Sequence, residues 1–112
     1  MAKGWHILTA DGHVTVARHM PARFDVAART CLPGGDALRL AMQIRQDMWR
    51  ALRKLRGFSP VVRISPGSDG LSVTAGGRVA GPVPSIVAPQ IETLLQTETH
   101  RARWLRCAGY RG

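Results

Sequence analysis

The segment from Ala37 to Arg56 repeats apolar residues at the spacing of an α-helix, and this feature constrains the fold more than any other. Asp36 stands just before it and can accept hydrogen bonds from the first helical amides, and we expect the helix to end at Gly57. A helix with one apolar side must bury that side against a second layer of structure. The apolar side consists of Ala37, Ala41, Ile44, Met48, Leu52 and Leu55, and Leu38, Met42 and Trp49 widen it on one flank.

Two alternating runs precede the helix and predict a β-hairpin. They are Trp5–Ala10 and His13–Met20, and the Asp11-Gly12 dipeptide between them is typical of a two-residue hairpin turn. That turn sets a register that pairs Ala10 with His13, Leu8 with Thr15 and His6 with Ala17. One face of the hairpin is then apolar, with Trp5, Ile7, Val14 and Val16, and the other carries His6, Leu8, His13, Thr15 and His19.

A third alternating run, Phe24–Cys31, follows the hairpin. If it returns antiparallel to the second run after the loop at residues 21–23, its apolar residues join the same core face. We therefore predict an N-terminal three-stranded antiparallel meander. In this register His19 lies opposite Asp25, and His13 lies opposite Cys31.

The chain after the helix predicts a second hairpin and two further helices. Pro60–Ser65 and Leu71–Ala75 are rich in strand-forming residues, and the loop at residues 66–70 joins them. A helix starts at Ile86 or at Pro89, and a short final helix runs from about His100 to Ala108. The whole chain, residues 1–112, is expected to form a single α+β domain with the order βββ-α-ββ-α-α, in which helices pack on an antiparallel sheet.

Length and composition exclude several classes of protein. The 112 residues are 45% hydrophobic, which is typical of a folded domain rather than a disordered chain. The apolar runs are too short to span a bilayer, and residues 1–6 lack the apolar stretch of a signal peptide. We therefore expect a soluble cytoplasmic protein. Its two cysteines, Cys31 and Cys107, are expected to be reduced thiols.

No catalytic or cofactor-binding motif is present, so we expect neither enzyme activity nor a cofactor. The glycine-rich residues 76–81 lack the spacing and the Lys-Ser/Thr of a phosphate-binding loop. One cluster is chemically notable, because the predicted sheet places histidines and a cysteine on one face, where they could bind zinc or exchange a proton. We expect instead that they are solvated surface residues and that no metal binds. This cluster consists of His6, His13, His19 and Cys31.

The charge of the chain points to polyanions. Sixteen Lys and Arg against seven Asp and Glu leave a formal net charge of +9. The stretch from Ala37 to Arg63 contains seven basic residues and only one acid, Asp47. We therefore predict a nucleic-acid-binding protein, for DNA or RNA, that contacts phosphates through the basic side of the long helix and acts in a nucleoprotein assembly or as a regulator. The residues predicted to make these contacts are Arg39, Arg50, Arg53 and Lys54.

Two alternatives remain open from the sequence. The last two helices could form a helix-turn-helix that reads the major groove through Arg101, Arg103 and Arg106. The basic surfaces could also dock on an acidic protein, so that the chain would act as an interaction module or regulatory subunit.

Overall fold

The computed structural model describes residues 5–111, which form five strands and three helices in the predicted order βββ-α-ββ-α-α. The architecture is therefore α+β, as the sequence predicts. The strands are β1 His6–Ala10, β2 His13–Ala17, β3 Val26–Leu32, β4 Ser59–Gly67 and β5 Gly70–Arg78. The helices are α1 Ala37–Leu52, α2 Val87–Gln96 and α3 Glu98–Cys107.

The predicted N-terminal hairpin is confirmed, including its register. β1 and β2 pair antiparallel with His6 opposite Ala17 and Ala10 opposite His13. Asp11 and Gly12 both have positive φ, at 51° and 79°. Two positive φ values characterise the hairpin turn whose twist matches that of the flanking strands, which explains why Asp-Gly occupies it.

The predicted meander is wrong, because β3 does not pair with β2. The sheet order is β1-β2-β4-β5-β3, and every neighbouring pair is antiparallel. The segment between β2 and β3 is too long for a tight hairpin, and it carries the chain past β4 and β5 to the opposite edge. Asp25 fixes the arrival point: its amide donates to the Gly77 carbonyl at 2.9 Å, and its carboxylate accepts from the Val79 amide at 2.9 Å.

α1 and α2 pack on one face of the sheet, α3 packs against these two helices, and all three share one core with the sheet. Strand residues such as Val16, Val62 and Val73 are fully buried against Ile44 and Met48 of α1. The same core includes buried residues of α2 and α3, which are Val87, Ile91, Leu94, Leu95 and Trp104. None of the helices in the part of the chain that the structure describes is long and apolar enough to cross a membrane.

The long helix is capped as predicted but is shorter than predicted. Asp36 is the N-cap, and its carboxylate accepts from the Arg39 amide at 2.9 Å. α1 ends at Leu52 rather than at residue 56, because the Leu55 amide bonds to the Leu52 carbonyl in a tighter turn. The chain then turns at Gly57, whose φ is +68°. A Cβ at Gly57 would lie 2.4 Å from that of Ala80, so the close approach also requires glycine.

The second hairpin is confirmed, but with longer strands and a tighter turn than predicted. Gly67 pairs with Gly70, so only Ser68 and Asp69 form the turn. α2 begins at Val87, between the two predicted starts, and α3 begins two residues earlier than predicted, at Glu98. A single residue, Thr97, separates α2 from α3.

Candidate nucleic-acid interface

The outer side of α1 carries a row of exposed basic residues. Arg39, Arg50 and the C-cap residue Arg53 fall within an arc of about 60° at 3.6 residues per turn, and they span about 21 Å of helix axis. Three of the four predicted contact residues therefore form one row, which we call the basic row. Lys54 is exposed as well, but it lies beyond the end of α1, so the predicted helical projection does not apply to it.

An apolar row runs beside the basic row on the same helix. Leu38, Met42 and Trp49 lie about 75° around the helix from the arginines. Met42 is half-buried against the core, whereas 38% of Leu38 and 45% of Trp49 remain exposed. Trp49 therefore presents a large, partly exposed ring close to the arginines of the basic row.

A cleft of about 350 Å³ opens between Trp49 and the end of the N-terminal hairpin. Two guanidinium groups lie close to the Trp5 ring in this cleft: that of Arg45 is 4.2 Å from the ring centroid and that of Arg18 is 5.6 Å from it. Such cation–π contacts hold both charges beside the ring. We call this feature the Trp49 cleft, and its walls are formed by Trp5, Arg18, His19, Arg45, Trp49, Phe58 and Pro60.

Arg45 is the most unusual charge in the cleft. Its Nε is buried and has no hydrogen-bond partner among residues 5–111. Burial lowers the pKa of Arg45, and the positive charge of Arg18 lowers it further. A buried donor without a partner is uncommon in folded proteins.

More basic side chains gather at the same end of the sheet. A second cleft, next to the first, shares His19 and Phe58 with it and also includes Arg23 and Arg78. Arg23 is held by Asp25, to which its Nε and one terminal nitrogen donate at 2.8 and 2.9 Å. The hydrogen bonds from Arg23 lower the pKa of Asp25, and the bond from the Val79 amide lowers it further. The hydrogen bonds between Arg23 and Asp25 also raise the pKa of Arg23.

The arginines predicted for α3 are mostly engaged inside the protein. Arg101 donates to the Cys31 carbonyl at 2.6 Å, and to the Thr30 hydroxyl and the Leu95 carbonyl at 2.9 Å each, which ties α3 to β3.

Arg103 forms an ion pair with Asp47 of α1, and the Trp104 indole donates to the same carboxylate at 2.8 Å.

These contacts leave little of α3 for a ligand. Of the three arginines predicted for this helix, only Arg106 is fully exposed. The single residue between α2 and α3 is also shorter than the turn of three to four residues in a helix-turn-helix. The geometry therefore does not favour the helix-turn-helix alternative.

The structure separates the histidines and the cysteine that the meander register brings together. His13 lies opposite Ser65 of β4, and its Nδ1 is 2.6 Å from the Ser65 hydroxyl. β4 and β5 stand between it and Cys31, so the two backbones are roughly 14 Å apart at the usual strand spacing. His19 contacts the Ser59 hydroxyl at 2.9 Å instead of Asp25. Within residues 5–111, no three His, Cys, Asp or Glu side chains are grouped closely enough to hold a metal ion.

Sequence reasoning missed the Trp49 cleft because its walls come from three distant segments. Trp5 and Arg18 flank the hairpin, and their side chains meet Arg45 only because α1 packs across β2 and β4. One signal was present in the sequence: Arg45 interrupts the apolar side of the helix next to Ile44. The side chain of an arginine at that position either extends to solvent or packs on another side chain. Here the guanidinium of Arg45 packs on the Trp5 ring.

No known protein family matches the chain, and neither a curated protein nor a solved structure shows similarity to it.

Proposed function

We propose that this protein binds nucleic acid through the outer side of α1. The observation that carries the proposal is the basic row itself: Arg39, Arg50 and Arg53 are all exposed along about 21 Å of one helix. Lys54, just beyond the end of α1, is exposed as well. Arginine side chains on a rigid helix can follow a phosphate backbone, which supplies most of the affinity in non-specific nucleic-acid binding.

Charge balance around the row supports the same proposal. The one acid within α1, Asp47, is buried and points to α3, where it is engaged with Arg103 and Trp104. Asp36 is occupied by the helix amide that it caps. The charge of Asp36 remains close to Arg39, so the acids of the helix leave Arg50 and Arg53 as the uncompensated end of the basic row. The proposed role is one of binding rather than catalysis, in the cytoplasm, as part of a nucleoprotein assembly or as a regulator.

An acidic protein surface is the second candidate partner, and the exposed apolar row favours it. Leu38 and Trp49 could be buried at a protein–protein interface, where tryptophan is enriched. The two candidates differ in what they require of the ligand, because a nucleic acid supplies regularly spaced phosphates that release counterions.

The proposal is tested by the salt dependence of binding. We expect Arg50→Ala/Arg53→Ala to weaken binding to specific and scrambled duplexes alike, because phosphate contacts carry no sequence information. The slope of log K against log salt should fall by about 0.9 for each phosphate of duplex DNA that the variant no longer neutralises, hence by about 1.8 for the pair. Fluorescence anisotropy with labelled duplexes at several salt concentrations measures both quantities.

The matched control removes the same charge from the opposite side of the sheet. Arg29 of β3 and Arg63 of β4 are exposed, and they project from the face that faces away from the three helices. Arg29→Ala/Arg63→Ala should leave affinity and salt slope closer to those of the wild type than the α1 pair does. If both double variants lose the same affinity and salt slope, net charge rather than the basic row drives binding. If the wild-type protein binds neither DNA nor RNA at low salt, the proposal fails.

A further inference from the structure

The basic row and the apolar row divide α1 into a surface for phosphates and a surface for bases. In a double helix the bases are stacked and paired, so a ring beside arginines that track the backbone reaches a base only at the cost of unstacking it. In a single strand the bases are free to leave the stack and lie on aromatic side chains, while the backbone follows a basic groove. Trp49 stands next to the basic row and is 45% exposed, which matches the second arrangement.

The Trp49 cleft has the size and chemistry for one unpaired base. Its volume of about 350 Å³ is at the small end of ligand pockets. One wall is the Trp49 indole, on which a base can stack. Another wall includes Arg45, whose guanidinium lies over the Trp5 ring. Every base carries acceptor atoms on the edges that are free in a single strand, so a stacked base can turn an acceptor edge toward this positive charge.

We infer that the ligand of this surface is single-stranded nucleic acid, with its phosphates on the basic row and one base in the Trp49 cleft, stacked on Trp49 beside the positive charge of Arg45. The inference rests on the proposed function, since it names the class of nucleic acid that the same surface binds. The Trp5 ring is already occupied by guanidinium groups, and its role is to hold Arg45 in position.

The test compares three probes of similar negative charge: a thymidine or uridine oligonucleotide, a duplex, and polyglutamate, which has charge but no bases. We expect the wild-type protein to bind the single strand most tightly. Trp49→Ala should weaken single-strand binding by roughly 5- to 150-fold, the range for removal of one stacked base, and leave duplex affinity unchanged. Its salt slope should equal that of the wild type, because no charge is removed. Arg45→Met should also weaken single-strand binding more than duplex binding.

Two control variants separate stacking from folding and from general apolar truncation. Trp49→Phe keeps a ring and should retain most of the single-strand affinity. Ile86→Ala truncates another exposed apolar residue, 62% exposed at the start of α2, and should affect no probe. The melting temperature of each variant establishes that it is folded.

Distinct outcomes would overturn the inference and the function on which it rests. If duplex and single strand bind equally, or if Trp49→Ala weakens both equally, the inference fails, while loss of duplex binding in Arg50→Ala/Arg53→Ala would still support the proposed function. If polyglutamate binds as tightly as the single strand, the bases contribute nothing to affinity and the inference fails. If no nucleic acid binds at low salt, both fail.

Discussion

At the scale of single residues, two acids determine which arginines are available to a ligand. Asp47 is buried on α1 and holds Arg103 and the Trp104 indole, so α3 is joined to α1 by charge as well as by packing. Asp25 holds Arg23 and the Val79 amide, which anchors the segment that leads into β3. Asp25 lies outside α1, and Asp47, three residues before Arg50, is engaged by α3. The arginines that they engage contribute to the fold, and those of the row remain exposed.

Asp25 predicts a pH dependence of stability. The pKa of Asp25 in the folded protein is lowered, first by the bonds from Arg23 and then by the bond from Val79. Its contribution to folding stability is therefore fully present at any pH above the pKa of the unfolded chain, about 3.9. The contribution is lost as the pH falls from there through the folded value, because protonation removes the charge that both donors bind. Asp25→Asn should therefore melt below the wild type at pH 7, and the difference should shrink in acid.

Thermal melts of both proteins across this pH range measure the effect. The exposed Asp69, in the turn between β4 and β5, provides the matched control, and Asp69→Asn should change the melting temperature little at any pH. If the difference in melting temperature between Asp25→Asn and the wild type stays constant from neutral pH into acid, the ionised Asp25 carboxylate does not have this stabilising role.

At the scale of the elements, α1 has opposite sides that should respond in opposite ways to substitution. Met48 is fully buried in the shared core, whereas Arg50 is exposed on the basic row. We expect Met48→Asp to unfold the protein, because an unpaired buried charge costs a large part of a total stability of about 5–15 kcal/mol. Arg50→Ala should change stability by no more than about 0.5 kcal/mol. Urea unfolding followed by circular dichroism measures both.

A conservative variant controls for the loss of methionine itself. Met48→Leu keeps the volume and polarity of the side chain and should cost less than about 1.5 kcal/mol. A folded Met48→Asp protein with the melting temperature of the wild type would show that this side of α1 is not part of the core.

At the scale of the whole molecule, the excess positive charge should destabilise the fold at low salt. Only two ion pairs form within residues 5–111, against a formal net charge of +9 on the chain. The protein measures 40 × 27 × 25 Å. At an ionic strength of about 0.01 M the screening length of about 30 Å covers most of it, and at about 0.15 M the length of about 8 Å covers only near neighbours.

We therefore expect the melting temperature to rise between these two salt concentrations, since screening removes more repulsion than attraction. A stabilisation of about 1 kcal/mol corresponds to a rise of about 4–8 °C in a domain of this size. Arg50→Ala/Arg53→Ala lowers the net charge from +9 to +7 and should show a smaller rise. A melting temperature that falls with added salt would show that attractive pairs outweigh the repulsion.

The sequence by itself determined those features that depend on neighbours along the chain. The spacing of Ile44 and Met48 is set by the helical repeat, and the register of the first hairpin is set by Asp11 and Gly12. These interactions join residues only a few positions apart, so local patterns contain nearly all the information needed for them.

The tertiary structure alone decided which strands pair and which charges are available. The predicted meander pairs β3 with β2, but β4 occupies that side of β2 in the sheet and β3 pairs along its whole length with β5. Residue type did not determine which arginines are exposed either. Arg101 and Arg103 bind other groups of the protein, and the guanidinium of Arg45 lies over the Trp5 ring. The physical reason is that periodicity specifies which side of an element is buried, whereas the partner on that side depends on how all the elements fit together.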